Sequence, residues 1–180
     1  MTLPFKTSLV LGGARSGKSR YAERLVEQSG LDRVYLATGQ AGDDEMAARI
    51  AAHRARRGSD WTTVEEPLEL AGTLKSQVSP ERCILIDCLT LWLSNLTLQK
   101  RDIARETAAL VDALADASGP VVLVSNEVGL GIVPDNVLAR GFRDHQGELN
   151  QRVAAIADHV VFIAAGLPLT LKPHAVDPVD

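Results

Sequence analysis

The sequence predicts an α/β fold: one domain with a mostly parallel sheet flanked by helices. Three observations carry this. Short apolar runs alternate with longer helical patterns, the order that builds parallel strands joined by crossover helices. Runs such as Ile84-Leu85-Ile86 and Val121-Val122-Leu123-Val124 are apolar at every position, as strands covered on both faces must be. A glycine-rich segment, Gly12–Ser19, stands between the first apolar run and the first helical pattern. A chain of 180 residues can bury most of its apolar surface in one such domain.

In chain order, Thr7–Leu11 reads as the first strand and Lys18–Gln28 as its helix, closed near Gly30. Arg33–Ala37 is a second strand. Asp43-Asp44-Glu45 places acidic residues where a helix dipole favours them, and that helix runs to about Arg57, before Gly58. Trp61–Val64 reads as a short strand, and Pro67–Val78 as a helix with its proline near the first turn. Cys83–Asp87 is a buried strand ending in a carboxylate. Leu89–Leu98 and Asp102–Ala117 are helical, and Pro120–Val124 is another apolar strand. Asn136–Ala157 is mainly helical, with Gly141 and Gly147 as possible points of interruption. His159–Ala164 and Leu169–Leu171 close the sheet. Pro173–Asp180 carries two prolines and reads as a loose tail.

Composition narrows the function classes. The chain is 46% hydrophobic and 23% charged, as soluble globular proteins are. Its net charge of −4 provides no general basic surface, and aromatics are only 4%, so a nucleic-acid partner is not expected. Cys83 and Cys88 are the only cysteines, too few and too close for a disulfide framework or a zinc site. They are expected to be reduced and partly buried. No apolar run is long enough to span a membrane, and no separate leader precedes the first strand, so the cytoplasm is the expected location.

Gly12-Gly13-Ala14-Arg15-Ser16-Gly17-Lys18-Ser19 has the form G-x-x-x-x-G-K-[ST], between a strand and a helix. Its glycines let successive backbone N–H groups turn inward on phosphate oxygens, and a helix N-terminus favours an anion. Lys18 can reach the β- and γ-phosphates, and the Ser19 hydroxyl can ligate Mg²⁺. The pattern points to a nucleoside triphosphate. Asp87, at the end of what is expected to be a neighbouring apolar strand, has two readings: a second Mg²⁺ ligand, or a cap on the following helix.

The helix Asp43–Arg57 puts Glu45, Arg49, His53 and Arg57 on one face, since they are four apart. That face is either a solvated basic surface near a helix C-terminus or a cluster lying over a triphosphate. In the second case His53 could act as acid, base or nucleophile, and the arginines would keep its imidazole neutral. Ser125–Pro134 follows a buried strand, where loops of open parallel sheets build ligand sites. Asn126 and Glu127 there either bind a polar substrate or belong to a turn opening the next helix. Arg140, Arg143, Asp144, Asn150, Gln151 and Arg152 read as a solvated or subunit-contacting face. His145, His159 and His174 lack metal-ligand spacing, and Trp61 and Trp92 read as core or interface residues.

These residues together resemble one enzyme family. The phosphate loop with Arg15 inside it, Asp43–Ile50, His53–Arg57, Trp61, Glu65-Glu66-Pro67, Asn126–Pro134, Arg140–Asp144 and Leu149–Arg152 are similar to the bifunctional adenosylcobinamide kinases / adenosylcobinamide-phosphate guanylyltransferases of cobalamin biosynthesis. The resemblance runs over about residues 8–172. It implies a P-loop NTPase (RecA-like) sheet, a homotrimer and two reactions. Adenosylcobinamide, a corrinoid, is phosphorylated with ATP or GTP. GMP is then transferred from GTP to that phosphate through a GMP–histidine intermediate, releasing pyrophosphate. The resemblance implies His53 as the nucleophile. It places nucleotide contacts at Gly12, Gly13, Ala14, Arg15, Ser16, Gly17, Lys18 and Ser19, at Ala37, Thr38 and Gly39, at Arg54, Ala55, Arg56 and Arg57, and at Glu65 and Asp87. Gly39 departs from the serine expected in some relatives. Two rival readings use the same loop: a small-molecule kinase without a covalent step, and a nucleotide-binding regulatory protein.

Overall fold

The computed structural model describes residues 3–40, 51, 55 and 57–172. Of the helix expected over Asp43–Arg57, only Ala51, Ala55 and Arg57 are among them, and all three are helical. The expected tail, Pro173–Asp180, lies outside the described residues, as do His53, Arg54 and Arg56.

Seven strands form one sheet: β1 (Thr7–Gly12), β2 (Asp32–Ala37), β3 (Trp61–Glu65), β4 (Arg82–Asp87), β5 (Val121–Asn126), β6 (His159–Ala164) and β7 (Leu167–Lys172). Their spatial order is β3-β2-β4-β5-β1-β6-β7. Every pairing is parallel except β6 with β7, which is antiparallel. The described helices are α1 (Lys18–Ser29), α2 (Leu70–Gln77), α3 (Leu89–Leu98), α4 (Ile103–Ala115) and α5 (Val137–Ile156).

The strand alternation of side chains sorts the core into two layers. Val10, Tyr35, Cys83, Leu85, Val122, Val124 and Ile163 face α1 and pack on its Ala22 and Val26. Leu9, Leu36, Ile84, Ile86, Leu123 and Val160 face the other way, into residues of the remaining four helices, including Leu74, Trp92, Leu93, Leu110 and Leu149. The central strands β1, β4 and β5 are therefore buried on both faces, which is why their sequences are apolar without alternation.

Several boundaries differ from expectation for local reasons. The helix expected from Pro67 starts at Leu70, because the Glu66 carboxylate accepts from Leu68 N (2.9 Å) and Glu69 N (2.8 Å) and holds a turn ahead of it. Trp92 Nε1 and Asn95 Nδ2 tie the same turn down through the carbonyls of Leu68 and Pro67. α5 runs unbroken past Gly141 and Gly147; its start is capped by Asn136 Oδ1, which accepts from Ala139 N at 2.7 Å. The last strand is longer than expected because the Ala165-Gly166 turn, with both φ values positive, pairs it with β6 from Leu167 onward. Both cysteines are free, and both are fully rather than partly buried. Trp61 and Trp92 are core residues, 8% and 0% exposed.

Candidate functional site

Because β1 to β6 run parallel, their carboxyl ends share one edge of the sheet. The register lines up residues that are far apart in sequence. Gly12 pairs with Asn126, Ala37 pairs with both Glu65 and Asp87, and Asp87 pairs with Val124. Crevices at this edge are where open α/β sheets bind ligands. One expectation needs correction: the strand of Asp87 is not the neighbour of the loop strand. β5 lies between β1 and β4, so Asn126 stands between the loop and the carboxylate.

The loop itself is tightly seated. A Cβ on Gly12 would lie 2.5 Å from Ser16 Oγ and 2.7 Å from the Ile163 carbonyl oxygen, so only glycine fits beneath Ser16. Gly166 N donates to Ser16 O at 2.9 Å, which makes the β6–β7 turn a buttress of the loop. Nothing in the local sequence of that turn signals the role. Lys18 is 7% exposed, and its Nζ donates to Gly13 O at 3.1 Å, across the loop's span. α1 begins at Gly17 in the left-handed region, φ 98°, with no side-chain cap. By contrast α4 is capped by Asp102 and α5 by Asn136. Among the described residues no side chain caps the first turn of α1, the place where a helix favours an anion.

Asp87 does not cap the following helix: the N-cap of α3 is Cys88, and it makes no side-chain cap bond. Instead Asp87 Oδ2 accepts from the Tyr35 hydroxyl at 3.0 Å. Tyr35 is 6% exposed, and the Arg57 guanidinium stacks 3.4 Å from its ring centroid. Arg57 and Glu23 of α1 form a buried ion pair at 4.0 Å. Arg57 is therefore committed to Tyr35 and Glu23, with its link to the edge running through Asp87. Burial first, then the Asp87 charge, push the Tyr35 hydroxyl far above its ordinary pKa, so it stays a donor. The same two causes raise the Cys88 thiol to about 11, while the Lys18 ammonium pulls the other way.

The chemistry of the donors fits Mg²⁺. Ser19 and Asp87 offer hard oxygens, and a Mg²⁺ shared with a triphosphate takes only one or two protein ligands.

Thr38 is fully buried, and its hydroxyl is a clamp. It donates to Cys88 O (2.7 Å) and accepts from Cys88 N (2.8 Å), locking the end of β2 to the end of β4. Its own N–H donates to Asp87 O and its carbonyl accepts from Asn95 Nδ2. Gly39 follows, with Leu91 Cδ1 3.0 Å from where its Cβ would be. Glu65 ends β3, exposed, as are Ala14, Arg15 and Ala55. Glu127 N donates to Gly12 O, and its carboxylate turns back to accept from Gly129 N. Sequence reasoning assigned Asn150 to a solvated or subunit-contacting face. It is 6% exposed and sits with Gln146 (0%) directly behind β5. Spacing gave a signal for both: Gln146, Leu149, Asn150 and Val153 follow one another at steps of three, one and three, a single buried stripe of α5.

A glycine-rich loop between β1 and α1, with a carboxylate two strands away on one parallel edge, defines a P-loop nucleotide-binding domain. The solved structure of a flagellar accessory protein, FlaH, from Methanocaldococcus jannaschii has the same fold. Its TM-score is 0.54 at 11% identity, over 94% of this chain and 79% of that one. Residues 8–171 match the model of the family described as cobinamide kinase / cobinamide phosphate guanyltransferase. The bifunctional adenosylcobalamin biosynthesis protein CobP of Pseudomonas aeruginosa is 55% identical, over 91% of this chain and 96% of its own length. CobU of Salmonella typhimurium, described in the same words, is 41% identical over 91% and 98%. The chain belongs to the cobinamide kinase / cobinamide phosphate guanyltransferase family, and is an enzyme with those two activities.

Proposed function

We propose that this enzyme runs its two reactions at one edge of one sheet. It phosphorylates adenosylcobinamide with ATP or GTP, then transfers GMP from GTP to the new phosphate through a GMP adduct of His53. The observation that carries the reading is the loop Gly12–Ser19 on the same sheet edge as Asp87, two strands away, within a family match spanning residues 8–171.

In the first step Lys18, the loop N–H groups and the α1 N-terminus hold the triphosphate and stabilise charge moving toward the leaving diphosphate. Ser19 and Asp87 hold Mg²⁺, which supplies further charge neutralisation when bound. In the second step an imidazole nitrogen of His53 attacks the α-phosphorus of GTP. The α–β bridging P–O bond breaks, and its electron pair leaves on pyrophosphate. An oxygen of cobinamide phosphate then displaces the imidazole. Arg15, Arg54 and Arg56 contribute positive charge around the phosphates, Arg57 anchors the end of the segment that carries His53 on Tyr35 and Glu23, Gly39 and Glu65 contact the nucleoside, and Ala37 and Thr38 set the strand ends that place them. Ala55 lies on the same helix. Asn126 and Glu127 meet the second substrate. We further place the enzyme in the cytoplasm as a homotrimer, following the family resemblance; the mass of the native particle in solution tests the latter.

The deciding experiment is incubation with α-labelled GTP. The wild type is expected to retain acid-labile label after denaturation, and His53→Ala to retain none. An unlabelled wild type that still phosphorylates cobinamide would leave the plain kinase in its place. Turnover of adenosylcobinamide with GTP, followed by product mass, tests the whole sequence of steps.

A further inference from the structure

The carboxyl end of β5 carries a polar assembly built behind Asn126. Strand alternation turns Val122 and Val124 to the α1 face and Leu123 to the other. Ser125 therefore faces α5, and Asn126 faces the phosphate loop. On the α5 side the Ser125 hydroxyl donates to Asn150 Oδ1 at 2.6 Å. Gln146 Nε2 donates to Ser125 Oγ (2.9 Å) and Asn150 Oδ1 (3.1 Å). Asn150 Nδ2 donates to the Asn126 carbonyl at 3.1 Å. From α3, Thr90 Oγ1 accepts from Asn126 N at 2.8 Å. Three helical side chains thus bear, directly or through one partner, on the main chain of a single residue.

Burying such groups on apolar helix faces is costly unless they are paired, so the arrangement acts as a rigid mount. What it mounts is a side chain left out of the network. Asn126 Oδ1 is buried and accepts no hydrogen bond. Gln146 Oε1 is also unpaired, but it belongs to the α5 side of the sheet. Buried acceptors without a partner are rare in folded proteins. This one lies beside Gly12, between the loop strand and the strand of Asp87. A triphosphate presents acceptors, which an amide oxygen repels. An incoming alcohol O–H, by contrast, is a donor that Oδ1 would accept.

We propose that Asn126 is a catalytic residue of phosphoryl transfer: its Oδ1 accepts the hydrogen bond of the attacking alcohol and aims the oxygen lone pair at the γ-phosphorus. Thr90, Gln146 and Asn150 are positioning residues that hold it. The inference rests on the two-reaction reading above. In the step, a bond forms between the alcohol oxygen and the γ-phosphorus. The bond from that phosphorus to the β,γ-bridging oxygen breaks, its electron pair stays on the nucleoside diphosphate, and the hydroxyl proton passes to solvent. The amide takes no proton; its contribution is orientation.

The test measures the two half-reactions separately: cobinamide with ATP, and cobinamide phosphate with GTP. Asn126→Ala is expected to lower kcat of the kinase half by about 100-fold. It should lower the guanylyl half far less, shifting the ratio of the two by roughly 30-fold or more. Asn126→Ser, which keeps an acceptor oxygen, should recover about tenfold of that loss. Asn150→Ala should move the same ratio in the same direction, chiefly through kcat of the kinase half. Equal losses in both halves would mark a structural role and overturn the proposal, as would a kinase half within about threefold of wild type. A wild type lacking the guanylyl half would instead refute the two-reaction reading, with the kinase result still deciding the part of Asn126.

Discussion

The Tyr35 hydroxyl donates to Asp87 Oδ2 across 3.0 Å, so one oxygen of the Asp87 carboxylate is held from behind by a buried ring. The same ring carries the Arg57 guanidinium, whose other contact is Glu23 on the phosphate-loop helix. β2, β4, α1 and the end of the segment carrying His53 are thereby joined through one side chain.

Tyr35→Phe removes the donor and leaves a carboxylate oxygen unpaired in a largely buried place. The expected cost is about 1–3 kcal/mol, read from urea unfolding. The Mg²⁺ concentration for half-maximal nucleotide binding should rise several-fold, because Asp87 is no longer held in one orientation. Loss of stability with an unchanged Mg²⁺ requirement would make Tyr35 a purely structural residue.

The thiols supply a pH dependence. Burial pushes Cys83 up to about 12 from an ordinary 9.0, and burial with the Asp87 charge pushes Cys88 up to about 11. Both groups hold their protons more tightly in the folded chain than in the unfolded one. Their contribution to stability is therefore whole below about pH 9 and is lost as the pH rises toward about 11–12. The urea midpoint should fall between pH 8 and pH 10.5, and fall less in the Cys83→Ala/Cys88→Ala double variant. At pH 8 both thiols should react slowly with a thiol reagent until the protein is unfolded.

Gly119→Ala should be one of the most damaging small substitutions. A Cβ there would lie 2.0 Å from the Ser79 carbonyl oxygen and 3.0 Å from that of Arg82, both main-chain atoms that cannot turn aside. An expected loss of about 2–4 kcal/mol, measured by thermal or urea unfolding, follows from forcing β4 and β5 apart at their amino ends.

Gly39→Ser, by contrast, should be tolerated. Among the described residues the new Cβ meets the tip of Leu91, at 3.0 Å, and a leucine methyl can yield. Stability should stay within about 1 kcal/mol, and nucleotide affinity within about threefold. A larger loss of affinity with stability intact would show that this chain needs the bare backbone at Gly39.

How much of this was legible beforehand varies by residue. Gly12–Ser19 was, because a phosphate loop is a local object whose glycines, lysine and helix start lie within eight consecutive positions. The strand ending at Asp87 was legible too, and so was the apolar part of β5, since burial on both faces forces an unbroken apolar run; Ser125 and Asn126, which extend β5 beyond Val124, read as loop because they are polar. The break expected at Gly141 or Gly147 was not real: a glycine weakens a helix by only about 1 kcal/mol, and packing of α5 on the sheet outweighs that. Asn150 was misread because a polar residue on a helix looks solvated until its partner, Ser125, is known to lie opposite.

By itself the sequence determined that this is an α/β nucleotide-binding chain and which family its motifs resemble, because those signals rest on periodicity and on residues adjacent in the chain. Only the tertiary structure decided the order of the strands, and with it the neighbours of each site residue. Inserting β5 between β1 and β4 puts Asn126 beside Gly12 and moves Asp87 one strand further away. Strand pairing is a contest among long-range contacts, and each apolar run here could have paired with several others. The outcome depends on how all seven strands and the helices between them pack at once, which no short stretch of residues encodes.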